Sequence, residues 1–166
     1  MAQASAPGRM ATPIVLLTRP RREARTAARA LAAAGFAAIR MPLQATRRAP
    51  RSAALDTDLG WAAAATIQVF VSRAAVAAAH ALARPALARA TTRIAVGRAT
   101  AAALTALGLP ALAAPSDAED SSGVLGLDEL QRVSGKRIAI WAAPGGRELI
   151  AQTLSARGAE VRAIAV

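Results

Sequence analysis

Ile14-Val15-Leu16-Leu17-Thr18-Arg19-Pro20 leads without a break into the alanine- and arginine-rich stretch Arg21–Ala34, then Gly35, then Phe36–Met41. The first five residues form a continuous apolar run rich in branched side chains. Such a run predicts a strand covered on both faces, the kind found in parallel sheets. Pro20 follows at a position suited to the first turn of a helix, where a missing N–H costs nothing. Within Arg21–Ala34, Ala27, Ala30, Leu31 and Ala34 share one face, while Arg21, Arg25 and Arg29 line the other. Gly35 supplies the left-handed stop after the helix. Phe36–Met41 is a second strand, ended by Pro42.

The alternation resumes beyond a polar, basic connection at Thr46–Ser52. Ile67–Ser72 reads as a strand and Ala74–Leu82 as a helix, with a further short helical stretch from Pro85. Arg93–Val96 is a strand, Ala99–Leu107 a helix stopped by Gly108, and Leu109–Ala114 a strand. Ser116–Ser122 forms an acidic loop whose serines can cap a helix over Val124–Arg132. Lys136–Trp141, the helix Gly146–Ala156, the stop at Gly158 and the strand Val161–Val166 complete the chain. One corner, leucine then small residues then glycine then strand, occurs at Leu31–Ile39, Leu104–Leu112 and Leu154–Val161. The spacing between the three is irregular, which excludes a solenoid. Strict alternation of strand and helix predicts an α/β protein, a parallel sheet with helices on both faces.

Composition narrows the chemistry. The chain has 166 residues, enough for one good hydrophobic core; 54% are apolar but only 2% aromatic, so the core is built from Leu, Val, Ile and Ala. Each apolar run is interrupted by Arg, Asp or Pro well short of the ~20 residues a membrane span needs. A soluble, cytoplasmic protein is expected, with residues 1–13 as a flexible tail. The absence of cysteine excludes disulfides, thiolate catalysis and Cys-ligated metals. His80 stands alone and is read as a surface or boundary residue. The net charge is +11, of which residues 1–51 carry +9: ten arginines against Glu23 alone. Lys136 is the single lysine, so arginine use reflects a bias of the whole chain. With two Phe, two Trp and no Tyr to stack on bases, nucleic acid is not the expected partner.

In an open parallel sheet, ligands bind beyond the carboxyl ends of the strands. Those positions are Thr18-Arg19-Pro20, Ser72-Arg73, Gly97-Arg98-Ala99-Thr100 and Ala143-Pro144-Gly145-Gly146-Arg147. Each holds an arginine, most offer a hydroxyl or glycine amides, and none contains His, Cys or Asp. A phospho-acceptor aspartate, a phosphate-loop lysine motif and a dinucleotide fingerprint are all missing. Gly145-Gly146 reads either as a tight turn or as amides approaching an anion at a helix start. Arg19, Arg21 and Arg22 crowd the positive end of the first helix, a placement that an anion would relieve; a solvated arginine face is the other reading. Asp117, Glu119 and Asp120 suit a capping loop better than a metal site. Trp61 and Trp141 are read as packing residues.

Together these strand ends resemble the uroporphyrinogen-III synthase family. That family has a first strand ending in Thr-Arg-Pro (Thr18-Arg19-Pro20), and a strand ending in Phe-Thr-Ser with Ala-Val downstream (Phe70-Val71-Ser72, Ala75-Val76). It continues with Val-Gly-x-x-Thr-Ala (Val96-Gly97, Thr100-Ala101) and with Gly-Gly-Arg-Glu before Arg-Gly-Ala (Gly145-Gly146-Arg147-Glu148, Arg157-Gly158-Ala159). The four motifs stand in register over Val15–Val166. The resemblance implies two flavodoxin-like lobes joined by a two-stranded linker. Residues 14–42 would be the strand–helix–strand portion of lobe one, and 43–166 would be lobe two ending in the linker. Two departures stand out: Val71 replaces a threonine, and the family pattern continues past Val166, with a tyrosine soon after it and the remainder of lobe one.

The implied reaction cyclises hydroxymethylbilane to uroporphyrinogen III with inversion of the last ring and loss of water, and it requires no cofactor. The implied partner is this small polycarboxylate tetrapyrrole precursor. Thr18, Ser72, Thr100 and the Gly97, Gly145 and Gly146 amides would position it, with Arg19, Arg73, Arg98 and Arg147 near its carboxylates. A non-catalytic binding module of the same descent is the alternative. Residues 14–41, an apolar strand pair with unpaired edges, are expected to be poorly ordered or to pair with another chain, a route to self-association.

Overall fold

A computed structural model describes residues 13–45, 50–90, 92–145 and 148–166. The chain divides into two compact units, Met1–Arg47 and Arg48–Val166.

Unit one is a single strand–helix–strand motif: β1 (Ile14–Leu17), α1 (Arg21–Ala33) and β2 (Ala37–Arg40). The two strands are parallel and in register, Ile14 opposite Ala37 and Leu17 opposite Arg40. Pro20 is the residue just before the helix, its carbonyl accepting from the Ala24 amide at 2.9 Å. Gly35 has φ +82°, the left-handed conformation that lets the chain turn from α1 into β2 without a Cβ penalty. The apolar face expected on α1 is only half-covered: Ala27 and Leu31 are intermediate, Ala30 and Ala34 exposed, and Ala24 is the buried residue of the helix. A helix lying on two strands has too little sheet beneath it to cover a full face.

Unit two contains α2 (Ala53–Ala62), β3 (Ile67–Phe70), α3 (Arg73–Arg89), β4 (Thr92–Ala95), α4 (Arg98–Thr105) and β5 (Leu112–Ala113). It continues with α5 (Ser121–Leu125), a 3-10 turn (Asp128–Leu130), β6 (Arg137–Ala142), α6 (Glu148–Ala156) and β7 (Glu160–Ala165). Five parallel strands form one sheet in the order β5-β4-β3-β6-β7. Counted from β6, this is the neighbour order 2-1-3-4-5 of flavodoxin-like sheets, with the chain entering at the third strand. The connection reverses direction between β3 and β6, which makes the crevice at their carboxyl ends the topological switch point.

Two apolar layers sandwich the sheet. On one face, Phe70, Ala95, Trp141 and Ile164 pack with Val76, Leu87 and Leu104 of α3 and α4 and with Leu55 of α2. On the other, Ile67, Val69, Ile94, Ile138 and Ile140 pack with Val124, Leu130, Ile150 and Leu154. The alternation of in and out along each strand therefore has apolar side chains on both faces, as a sheet covered on both sides requires. One polar side chain interrupts the first layer. Gln68 is fully buried, its amide donating to the carbonyls of Ala86 (3.1 Å) and Ala62 (3.4 Å) while its Oε1 accepts from Trp141 Nε1 (3.2 Å). Trp141 also stacks on Phe70, with ring centroids 6.2 Å apart. Trp141 is thus a packing residue with a satisfied polar end.

Three local expectations differ. The stretch between Ser52 and Ile67, to which the sequence assigned no element, holds the helix α2, whose start is capped by Ser52 Oγ accepting from the Leu55 amide at 3.1 Å. Gly60 and the short length weakened the helical signal there. The helix expected at Val124–Arg132 is instead the short α5 plus a 3-10 turn, and its cap is Asp120, which accepts from the amides of Ser122 and Gly123. Val124, Leu125 and Leu130 all reach the core from this broken path, which a straight helix would not allow. The strand expected at Leu109–Ala114 shrinks to two residues, since β5 is the sheet edge and pairs only with β4. By contrast, the division of the region 74–89 into two helical pieces is present as a kink inside α3. Ala83 there has φ −138° and ψ 34°, just before Pro85.

Candidate functional site

The register of the sheet aligns three of the predicted strand ends. The Val71 amide donates to the Trp141 carbonyl (3.3 Å) and the Val96 amide to the Phe70 carbonyl (3.1 Å). Ser72-Arg73, Gly97-Arg98 and Ala143–Gly145 therefore leave neighbouring strands side by side at the carboxyl edge, with the switch point between the first and the last. Gly146 and Arg147 lie outside the described residues. Thr18 and Arg19 belong to unit one, exposed at the end of β1.

Each of these side chains has a local role that defines what it can offer. Ser72 is the N-cap of α3, its Oγ accepting from the Ala75 amide at 3.1 Å. Arg73 opens α3, exposed and already engaged in an interaction of its own. Gly97 precedes α4, and its carbonyl takes the amides of both Thr100 and Ala101 at 3.0 Å. Thr100 is buried, 6% exposed, one turn inside α4, so it supports the Gly97 turn from beneath. Gly145 has φ +72° and open space around its Cα, which fits a backbone turn free to approach a ligand.

Arg98 has a partner that the sequence did not suggest. Its Nε lies 2.7 Å from Glu119 Oε1, with Arg98 76% exposed. The second oxygen of the same carboxylate sits so close to Gly97 that a Cβ there would lie 2.6 Å from it. Glu119 therefore places a carboxylate at the head of α4, where the helix dipole and a guanidinium favour one. The acidic loop is thus more than a cap for α5. Its reach across from Ser116–Asp120 to α4 follows from β4 and β5 being sheet neighbours, a long-range fact.

The Arg-Gly-Ala motif has a structural explanation. Arg157 Nη1 donates to the carbonyls of Leu130 (2.8 Å) and Leu125 (2.9 Å), tying α6 to the broken path of α5. Gly158 has φ +84°, and Ala159 is buried. Trp61 carries Arg162 over its ring at 5.0 Å, with Asp58 on the guanidinium at 3.3 Å.

Among the described residues, two hollows stand out. One of about 330 Å³ lies between α2 and the α3 kink, lined by Leu59, Ala63, Leu82 and Ala86 with Arg51 and Asp56 at its rim. It is near the amino ends of the strands, away from the strand-end loops. The other, of about 550 Å³, lies within unit one and is lined by Arg21, Arg22, Arg25, Arg40 and Pro42 with Ala24. From the sequence, Arg25 was placed only on the polar face of the first helix, and Arg40 was not singled out. The signal was present, because Arg40-Met41-Pro42 is itself a strand end with an arginine, like the other four. Among the described residues, no cluster of three or more His, Cys, Asp or Glu could hold a metal ion, and no helix is long and apolar enough to cross a membrane.

Comparison with known proteins gives a consistent answer. The family model described as uroporphyrinogen-III synthase HemD matches residues 25–166. Uroporphyrinogen-III synthases of Salmonella typhimurium and Escherichia coli are 55% and 57% identical over 47 residues, 28% of this chain and 19% of each relative. The crystal structure of a mutant uroporphyrinogen III synthase from Thermus thermophilus superposes with a TM-score of 0.67 at 26% identity, covering 93% of this chain and 61% of that one. The wild-type enzyme in another crystal form gives 0.57 over the same shares. This chain thus spans about three fifths of the length of its solved relatives. The strand-end motifs, the parallel α/β fold and the match over residues 25–166 agree: the chain belongs to the uroporphyrinogen-III synthase (HemD) family.

Proposed function

We propose that this chain acts in tetrapyrrole biosynthesis as a uroporphyrinogen-III synthase, a lyase of the cytoplasm that converts hydroxymethylbilane to uroporphyrinogen III. The observation that carries this reading is the family match over residues 25–166. In the reaction the C–O bond of the terminal hydroxymethyl group breaks, and the oxygen departs with a proton as water. The cationic carbon left behind forms a new C–C bond to the last pyrrole ring, whose older bond to its methylene bridge breaks and re-forms at the ring's other α-carbon with loss of the proton there, so the ring is inverted as the macrocycle closes. The balance is redox-neutral. What the protein must supply is control of conformation, since the reactive ends have to meet in one geometry out of several.

The carboxyl edge of unit two suits that task. Amides at Gly97 and Gly145, the Ser72 hydroxyl and the guanidiniums of Arg73 and Arg98 are donors, matched to a substrate bearing many carboxylates. In this reading Thr100 acts by fixing the Gly97 turn, and Gly146 and Arg147 extend the donor set after β6. Thr18 and Arg19 contribute from the end of β1. Residues 14–42 are the strand–helix–strand part of lobe one, and 43–166 form lobe two and the linker; residues 1–12 of the expected tail lie outside the described residues. The exposed apolar strands of unit one give a route to self-association, and nucleic acid is not a partner.

The test is a coupled assay. Hydroxymethylbilane is supplied to the purified chain, and the uroporphyrinogen isomers are separated after oxidation. Type III product in excess over a protein-free control is expected. Only the type I isomer, which forms spontaneously, would overturn the assignment of activity to this chain.

A further inference from the structure

Gly97 is explained by space and not by its backbone. Its φ of −148° and ψ of 167° are extended values that any residue adopts. Yet the three nearest atoms that a Cβ there would meet all belong to Glu119: Oε2 at 2.6 Å, Cδ at 3.3 Å and Cβ at 3.5 Å. The room left by the missing side chain is filled by a carboxylate of the protein's own. The other oxygen of that carboxylate accepts from Arg98 Nε at 2.7 Å.

The main chain on both sides of Glu119 is pinned. Asp120 caps α5, accepting from the amides of Ser122 and Gly123 at 2.8 and 2.9 Å. Its own amide donates to the Ala118 carbonyl at 2.8 Å, and that carbonyl oxygen lies where a Cβ on Gly123 would have to go. The Ala118 amide donates in turn to the Pro115 carbonyl at 3.0 Å. The loop therefore aims Glu119 at the strand end, while the contact it makes there is open to water: the Arg98 side chain is 76% exposed and that of Glu119 33%. An ion pair so exposed contributes little to stability, and an incoming anion can replace its acidic member.

We propose that Glu119 is a specificity-determining residue, a built-in carboxylate that holds the place over Gly97 and beside Arg98 in the free protein and yields it to a carboxylate of the ligand. This rests on the reading of the carboxyl edge of unit two as the substrate-binding side. A ligand carboxylate of the same planar shape takes over the Arg98 bond and the open face of Gly97, and Glu119 swings into solvent. An anion that cannot use both gains too little to displace Glu119 and is turned away.

Two substitutions separate this role from a structural one, because they act in opposite directions. Glu119→Gln removes the charge of the competitor; Gly97→Ala puts a Cβ into the room itself, at backbone angles that alanine accepts. The full chain is titrated with propane-1,2,3-tricarboxylate and with uroporphyrin III at low ionic strength. Binding is followed by the NMR signal of the Arg98 Nε–H, which reports on this guanidinium alone. Glu119→Gln is expected to tighten both ligands by about two- to fivefold, and Gly97→Ala to weaken them by about threefold or more. Glu129→Gln, which removes the same charge from an exposed turn, should change either by less than about 1.5-fold. If Gly97→Ala fails to fold, Glu119→Ala replaces it and should tighten binding at least as much as Glu119→Gln. Equal tightening by the Glu119 and Glu129 variants would reduce the effect to net charge and overturn the proposal. Weakening by Glu119→Gln, or tightening by Gly97→Ala, would also overturn it. Inorganic phosphate moving the Arg98 signal at the same concentration as the tricarboxylate would overturn the selection for carboxylate. The expected pattern with the tricarboxylate but no binding of uroporphyrin would support the role of Glu119 and overturn the tetrapyrrole reading. Uroporphyrin bound with the Arg98 signal unmoved would overturn the role of Glu119 and leave the tetrapyrrole function standing.

Discussion

The strands β1 and β3 begin with the same residue type and carry the same kind of apolar sequence, yet their surroundings differ. In β3, Ile67 is 3% exposed and Val69 and Phe70 are fully buried; in β1, Ile14 is 66% and Leu16 51% exposed. Propensity alone does not separate Ile-Val-Leu-Leu from Ile-Gln-Val-Phe. What separates them is the number of strands and helices around each: β3 has sheet neighbours on both sides and a helical layer on each face, β1 has one neighbour and one helix within its unit. Burial is a property that a strand acquires from its neighbours. Unit two therefore holds the stabilising core, while unit one holds a charged cavity on a thinly supported frame.

The sharpest way to break this comparison is a pair of truncations. Trp141→Ala removes a fully buried ring, its stack on Phe70 and the partner of Gln68 Oε1, and should cost about 3–5 kcal/mol. Leu16→Ala should cost under ~1 kcal/mol, because half of that side chain is already in water. Urea unfolding of both variants measures the difference, and equal costs would refute the contrast. Amide exchange should agree: amides of β3 and β6 should exchange only on global unfolding, those of β1 and β2 by local opening.

A second pair probes glycine positions inside unit two. A Cβ on Gly123 would run into the backbone carbonyl oxygen of Ala118, so Gly123→Ala should destabilise by about 1–3 kcal/mol. A Cβ on Gly97 meets instead the far end of Glu119, which can move, so Gly97→Ala should cost a few tenths of that and loosen the Arg98–Glu119 pair. Thermal unfolding of the two variants ranks them, and a reversed order would show that the acidic loop is held otherwise.

Exposed apolar residues of unit one, among them Ile14, Leu16 and Ile39, should drive concentration-dependent association in sedimentation experiments. Leu16→Lys should shift the midpoint of that association severalfold upward, whereas a monomer at all concentrations would show the strands covered in another way. The smallest expected effect is that of Glu119→Gln. An exposed ion pair contributes about 0–1 kcal/mol, so stability should hardly change; affinity of Arg98 for an added carboxylate should rise, because its internal competitor has lost its charge.

Much of the fold was legible because its signals are local. Gly35, Gly108 and Gly158 were read as stops at the ends of helices, and all three adopt positive φ there. The stretches 67–72 and 136–141, read as strands, became the central strands β3 and β6. The helix α2 was missed because Gly60 dilutes its pattern and its apolar residues matter only against the sheet. The path through α5 was misjudged because three buried residues pull it apart. At the candidate site, the strand-end rule located Ser72, Gly97, Arg98 and Gly145, yet the rule carries no information about partners. Glu119 on Arg98 and the meeting of Arg40 with α1 both join residues from separate elements, and no periodicity records such a meeting.

By itself the sequence determined the alternation of strand and helix, the stops between them, the absence of thiol chemistry and the motifs of the HemD family, since each depends on residue types at short range. Only the tertiary structure decided the strand order β5-β4-β3-β6-β7, the two-sided burial of β3 and β6, the neutralisation of Arg98 and the gathering of four arginines around one cavity. Those features arise from contacts between elements far apart in the chain, and such contacts are set by packing and by the geometry of the sheet.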